Sequence, residues 1–242
     1  MNSLCIIPCW NEEDKLPKLI NQIKSFDQSN YKVDFLFINN GSTDKSLQII
    51  KESKINYLTY QINMGIGYAL INGLKIGTEK NYDSIIHLAG NGKMDPHEIN
   101  KFLEKIYKEN FEFVHGSRFL KGGNYKSNPL KRILLIRVFT FIINIFLSRK
   151  ITDSTCGFRA FKTKVLSQNI DLFDKEEFYS YGYEYYVLGK IINSKNISFA
   201  EIPVSMNYPR TGKYSKIRVL IDWYPIIRAY FISFFDKKKL RD

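Results

Sequence analysis

The chain has 242 residues, 44% of them hydrophobic, which is enough for one large α/β core and too few for two full domains. Lys and Arg number 36 against 24 Asp and Glu, and a net charge of +12 points to a polyanionic partner: nucleic acid, an anionic membrane face or phosphorylated substrates. Cys5, Cys9 and Cys156 have no zinc-site spacing and do not suggest a disulfide framework, so they read as free thiols of a reducing compartment.

The chain opens on an apolar strand, Ser3 to Cys9, which lacks the basic lead-in of a signal peptide. Further short apolar strands follow at Asp34 to Asn39, Ile55 to Tyr60, Ser84 to Ala89 and Phe111 to Ser117. Helix-like segments fill the gaps at Glu12 to Phe26, Thr43 to Ser53, Gly67 to Thr78 and Pro96 to Glu109. The last carries a start signal, with Asp95 as N-cap, Pro96 at the first helical position and Glu98 three residues after the cap. Strands alternating with helices predict a mostly parallel sheet covered on both faces.

After Arg118 the texture changes to a polar, Gly-rich loop, Lys121 to Pro129, of the kind that often carries function. The apolar run Ile133 to Leu147 follows. It is about fifteen residues long and contains Arg137, short of the roughly twenty a spanning helix needs. The segment Ile217 to Phe235 is apolar and aromatic with interspersed charges, and the chain ends in the basic DKKKLRD. No stacking-aromatic or helix-turn-helix pattern supports a nucleic-acid partner.

Five blocks in order carry a resemblance: IIPCWNEE (Ile6 to Glu13), NNGSTDKS (Asn39 to Ser46), NMGIGYALINGL (Asn63 to Leu74), HGSRF (His115 to Phe119) and TDSTCGFRAF (Thr152 to Phe161). A weaker sixth is EIPVSMNYPRTGKYSKIR, Glu201 to Arg218. Together they resemble the family-2 glycosyltransferases of GT-A fold, in particular the dolichyl- and polyprenyl-phosphate sugar transferases. The resemblance implies an α/β GT-A domain over residues 1–216, with its central sheet flanked by helices and amphipathic helices toward the C-terminus. Residues 217–242 would form an amphipathic, basic tail suited to a membrane surface. The implied reaction is inverting transfer of a hexose from a nucleotide-sugar to a polyprenyl phosphate at the cytoplasmic membrane face. Rival readings are a transferase to a sugar hydroxyl in surface-polysaccharide synthesis, and a catalytically silent GT-A module that binds nucleotide or a membrane-protein partner.

Carried over residue by residue, the resemblance places Pro8, Asn11 and Glu12 beside the nucleotide's base and ribose, with a plain turn and an acidic helix start as the alternative for Glu12. Asn39 and Asn40 stand where the family usually has one or two acids, and an amide can both donate and accept. Ser42 joins this donor set, with helix capping by Ser42 and Asp44 as its alternative. Gly65 lies in a turn expected to let backbone approach the nucleotide and to open a helix whose N-terminus favours anions. On the acceptor side stand Arg118 and Arg159 as phosphate forks, Asp153 as base or orienter, Glu184, and Arg210, Ser215 and Lys216 in a late basic loop. The alternative for each arginine is an ion pair with a neighbouring carboxylate.

The departure from the family lies in HLAGNGKMDP, His87 to Pro96. Relatives end the fourth strand in Asp-x-Asp, which holds Mg2+ or Mn2+, and often place a Gln after one further residue. Here Ala89 and Asn91 occupy the acid positions and Lys93 the Gln position. Three readings remain open: a dead site with a surface lysine, a Lys93 ammonium doing part of the cation's work on the donor diphosphate, or a weak metal held through water by Asn91 and Asp95.

Overall fold

The computed structural model describes residues 1–125, 129–208 and 223–241. Among these residues seven strands build one sheet: β1 (Asn2–Cys9), β2 (Lys32–Asn40), β3 (Asn56–Tyr60), β4 (Ser84–His87), β5 (Phe113–Ser117), β6 (Arg159–Lys162) and β7 (Phe199–Pro203). Their order is β3-β2-β1-β4-β6-β5-β7, parallel except where β6 runs antiparallel to both β4 and β5. The first five coincide with the expected strands to within about two residues, because each is a short apolar run bounded by polar turns.

The expected helices form as α1 (Leu16–Lys24), α2 (Ser46–Ser53), α3 (Ile66–Glu79) and α4 (Ile99–Tyr107). In α1 the buried residues are Leu16, Leu19, Ile20 and Ile23, and in α4 they are Ile99, Phe102, Leu103 and Ile106, a period that lays one apolar stripe on the sheet. Helix α1 starts four residues later than expected. Pro17 sits in its first turn, and Glu12 to Lys15 instead form a turn closed by Lys15 N–H to the Glu12 carbonyl, 2.9 Å. Before α4, Pro96–Glu98 form a 3-10 turn in which Asp95 Oδ1 accepts from His97 N–H at 3.0 Å, as the cap signal predicts. Glu98 does not reach back to that cap. Its carboxylate accepts from Ser205 N–H at 2.9 Å and from Lys101.

Helix α5 (Leu130–Phe146) covers the expected apolar run and begins three residues earlier. Short helices α6 (Thr163–Ser167) and α7 (Ile170–Phe173) lead to α8 (Gly182–Asn193) and, beyond β7, α9 (Trp223–Phe235). One core face of the sheet gathers Leu4, Ile6, Ile85 and Phe161 under α3, α8 and α9; the other gathers Cys5, Ile7, Phe37 and Ile86 under α1 and α4. This in-out alternation along β1 follows from the two-residue period of a strand. All three cysteines are free and buried.

The chain passes from β1 to β2 and β3 on one side of β1, then returns to β4 on the other. The carboxyl ends of β1, β2 and β4 therefore border the crevice where open α/β sheets take their ligands.

Candidate active site

Two loops form the first wall of that crevice, and each holds the other. Asn11, at φ 52°, receives Thr43 N–H on its Oδ1 at 2.8 Å and offers its own N–H to Ser42 Oγ at 3.0 Å. Glu12 N–H reaches Ser46 Oγ at 2.7 Å, and Glu13 N–H reaches Asp44 Oδ2 at 3.1 Å. Asn11 and Ser42 thus brace the loops that end β1 and β2. Asp44 also caps locally, accepting from Ser46 N–H at 2.9 Å. The Glu12 carboxylate is buried and pairs with Lys15 at 2.5 Å.

At the end of β2 the two asparagines differ. Asn40 spends its amide on the Asn63 side chain (2.9 Å), the Gly65 carbonyl (3.0 Å) and Met64 N–H (3.1 Å), so it fastens the next loop. Asn39 donates to Thr59 Oγ1 at 2.9 Å, and its Oδ1 has no hydrogen-bond partner among the described residues.

The glycine turn before α3 corrects an expectation. Gly65 adopts φ +94°, and a Cβ there would lie 2.2 Å from the Tyr179 carbonyl oxygen. The N–H groups of Gly67 and Tyr68 donate to the carbonyls of Ser180 and Tyr179 at 3.2 and 3.1 Å. The close approach at Gly65 and two of the helix's first N–H groups are taken by protein backbone from the segment before α8, so these groups serve packing and not an anion.

The loop after β4 is shaped by its glycines. Gly90 N–H bonds the Pro8 carbonyl at 3.2 Å, and a Cβ on Gly90 would lie 2.2 Å from Cys9 Sγ. Gly92 adopts φ +65° and turns the chain, while Asn91 Oδ1 accepts from Lys93 N–H at 3.2 Å. Met94 bridges to Met206, and the Lys93 carbonyl accepts from Asn207 N–H at 2.8 Å, so the loop is annealed to the strand-like segment after β7.

That annealing sets Tyr208 beneath Lys93. The Lys93 ammonium stands 5.2 Å from the Tyr208 ring centroid, and the Arg132 guanidinium lies 5.7 Å from the same centroid. The Tyr208 hydroxyl accepts from Arg118 Nη1 at 2.5 Å. One tyrosine therefore gathers cations from three parts of the chain. Burial, and then the charge of Arg132, lower the Lys93 pKa to about 8, against the opposing pull of Glu12.

Behind this cluster Arg118 and Asp153 form a forked pair, Nε to Oδ2 at 2.6 Å and Nη2 to Oδ1 at 2.7 Å, at 2% and 0% side-chain exposure. Burial pushes the Asp153 carboxyl up, but Arg118 outweighs it and holds the group below its ordinary value. Arg118 has the ion-pair role that stood as its alternative: its fork grips Asp153. Asp153 correspondingly does not present a free carboxylate oxygen to an acceptor. Arg159, 1% exposed, donates to the carbonyls of Cys156 (3.0 Å) and Glu184 (2.5 Å). It too is an internal charge, flanked across the sheet by His87 and His115, its register partners on β4 and β5. Burial, helped by Arg159, lowers both histidines to about 3, so they stay neutral. Burial raises the Glu184 carboxyl and Arg159 opposes it. Arg210, Ser215 and Lys216 lie outside the described residues.

The sequence reading missed Tyr208 and Arg132. Tyr208 lies inside the sixth block, one residue from Pro209, and its part depends on a pairing between distant segments. Arg132 left a readable signal: it sits in the first turn of α5, where a cation opposes the helix dipole and needs another reason to be there.

The family model described as glycosyl transferase family 2 matches residues 4–169. The chain belongs to glycosyl transferase family 2. Similar proteins include a UDP-N-acetylglucosamine–dolichyl-phosphate N-acetylglucosaminyltransferase of Methanococcus voltae, 27% identical over 89% of this chain and 90% of its own. An undecaprenyl-phosphate mannosyltransferase of Micrococcus luteus is 27% identical over 83% and 84%. Glucosyl-3-phosphoglycerate synthase from Mycobacterium tuberculosis, solved with Mn2+, UDP-glucose and phosphoglyceric acid, shares the fold at a TM-score of 0.69 and 14% identity, covering 96% of this chain and 79% of that one. This family-2 chain is therefore a glycosyltransferase with a GT-A fold.

The loop after β4 offers an ion such as the Mn2+ of that neighbour no fitting donor set among the described residues. Ala89 ends in a methyl group, Asn91 Oδ1 is bonded to Lys93 N–H, and the third position carries an ammonium. Asp95 Oδ1 is engaged by His97 N–H and the His97 ring at 2.8 Å. Among the described residues no three His, Cys, Asp or Glu side chains gather to hold a metal ion. A hard divalent cation prefers several carboxylate oxygens, and this loop supplies none at the strand end.

Proposed function

We propose that this glycosyltransferase moves a hexose, with inversion, from a nucleotide-sugar to a polyprenyl phosphate while seated on the cytoplasmic face of a membrane. The observation that carries the reading is the apolar surface made by α5 and α9. Phe141 and Ile145 of α5 are 71% and 64% exposed and Phe235 of α9 is 69% exposed. The two helices touch through Phe139 with Trp223 and through Phe146 with Phe231, at 5.3 and 5.8 Å between ring centroids, which joins their exposed residues into one surface. Apolar area of this kind marks an interaction site. Exposed Lys131 and Arg137 flank one end, and Lys237, Lys238 and Lys239 follow the other, the arrangement expected of an interfacial anchor on anionic lipid. No helix of the described residues is long and apolar enough to cross a membrane.

The sealed state of Asp153 favours a phosphate acceptor over a sugar hydroxyl. A hydroxyl needs a base to take its proton, whereas a phosphate is already ionised at neutral pH. The lipid-phosphate acceptors in the relatives' names support the same choice. On the donor side the reading uses Glu12 and Asn39, with Pro8, Asn11, Ser42, Gly65 and Asn91 shaping the crevice. Arg132, at the start of α5, and the basic residues Arg210 and Lys216 with Ser215 serve the acceptor phosphate. Arg118, Asp153, Arg159 and Glu184 form the rigid floor.

Radiolabelled nucleotide-sugars supplied with undecaprenyl phosphate in anionic vesicles test the reading. Label is expected in the lipid fraction, and a Phe141→Ser/Ile145→Ser variant is expected to float less with the vesicles while melting like the parent. Transfer to free sugar acceptors and none to the lipid, or flotation unchanged by the double substitution, would overturn it.

A further inference from the structure

A fold neighbour was solved with a divalent cation, and in the loop after β4, where the sequence lacks paired acids, this chain brings an ammonium group onto an aromatic ring beside other cations. Lys93 extends from the loop after β4, and its position is fixed at several points. Gly92 turns the chain with a positive φ, Asn91 caps the Lys93 N–H, and the Lys93 carbonyl is bonded to Asn207. The Tyr208 ring below the ammonium is itself anchored through its hydroxyl to Arg118, which is locked by Asp153. The charged groups of the described residues that act on Lys93 are Arg132, Lys15 and Arg118, all cationic, and the carboxylate Glu12. They come from the ends of β1 and β5 and the start of α5, so a positive locus sits at the mouth of the ligand crevice.

We propose that Lys93, carried on Tyr208, takes the place of a divalent cation at this site: its ammonium binds the donor diphosphate and stabilises the departing nucleoside diphosphate. In the step, the bond between the anomeric carbon and the donor's β-phosphate oxygen breaks, and its electron pair stays on that oxygen. The acceptor oxygen forms the new bond from the opposite face. Lys93 keeps its protons and donates N–H bonds to the growing charge. Tyr208 is a positioning residue: its face favours a cation, and its tether to Arg118 fixes the height at which Lys93 meets the phosphates. Arg132 shares that ring from the side of α5, so the donor and acceptor ends of the crevice meet across one tyrosine. This inference rests on the nucleotide-sugar half of the proposed function and is independent of the acceptor.

Calorimetric binding of UDP and GDP to the full chain in EDTA, beside binding of the parent nucleosides, tests it without turnover. One diphosphate is expected to bind in EDTA with an affinity that added Mn2+ leaves unchanged. Lys93→Ala is expected to weaken that diphosphate about ten- to hundred-fold, the loss for one charge-assisted hydrogen bond, and to leave the nucleoside unaffected. Lys93→Arg is expected to retain most of the affinity, and Tyr208→Leu to follow Lys93→Ala in direction. Failure of both diphosphates to bind in EDTA, rescue by Mn2+, or equal weakening of diphosphate and nucleoside would overturn the proposal. Failure of the lipid-acceptor reading would show instead as intact donor binding without transfer to lipid.

Discussion

Replacing Asp153 by Asn removes one charge from the buried pair with Arg118 while keeping the side chain's shape. In the native structure the carboxylate accepts from Arg118 Nε (2.6 Å), Nη2 (2.7 Å) and backbone N–H (3.2 Å), and from Thr155 N–H (3.1 Å). Both partners are shielded from water. The variant therefore strands a guanidinium that the interior cannot solvate, at a cost of about 3–5 kcal/mol. For a chain of this size each kcal/mol moves the melting midpoint by about 2–4 °C, so the transition should fall by roughly 6–20 °C. Thermal melts monitored by circular dichroism, with Arg118→Met/Asp153→Leu as a second variant, check the size and the origin of the loss. An apolar pair of similar volume should recover part of the stability, because it leaves no buried charge unpaired. The reasoning is refuted if Asp153→Asn melts with the parent yet transfers sugar at a rate reduced about a thousandfold or more, because that is the behaviour of a general base.

His87 and His115 have folded pKa values near 3 against an ordinary 6.5, so the unfolded chain binds more protons and stability falls as pH drops below about 6.5. Each contributes a loss of about 2 kcal/mol between roughly pH 7 and pH 5. Glu201, pushed up to about 7 by burial, works in the opposite sense, so the check is that His87→Leu loses less stability than the parent over that interval. Lys93, with its pKa lowered to about 8, should hold the donor diphosphate less well as pH rises through that value, while Lys93→Arg shows a flat profile in the same titration. Gly90→Ala places a methyl group 2.2 Å from Cys9 Sγ and 2.8 Å from the Pro8 carbonyl. It should cost about 1–3 kcal/mol in a thermal melt and weaken diphosphate binding by shifting the Lys93 loop.

Much of the sheet was legible because its first five strands are short apolar runs and α1 and α4 carry one-sided stripes. Strands β6 and β7 were not. β6 pairs antiparallel between β4 and β5, neighbours far off in sequence, and the four residues Arg159–Lys162 give no period to read. The loops after β1 and β2 were singled out by their blocks, but the blocks did not say which polar atoms were already committed. Asn11, Ser42 and Asn40 have the residue types of nucleotide ligands, and much of their hydrogen-bonding capacity goes to joining one loop to the next.

The sequence by itself determined the α/β class, the order of the blocks, the absence of paired acids after β4 and the lysine in their place. These are local facts, carried by hydrophobic period and residue identity over a few positions. Only the tertiary structure decided what each charge meets. Arg118 closes on Asp153, the backbone before α8 fills the start of α3, and Tyr208, 115 residues along the chain from Lys93, lies under its ammonium. An ionic group's role depends on its burial and on the nearest opposite charge. Both are set by packing between distant segments, to which the spacing of residues along one strand or loop is blind.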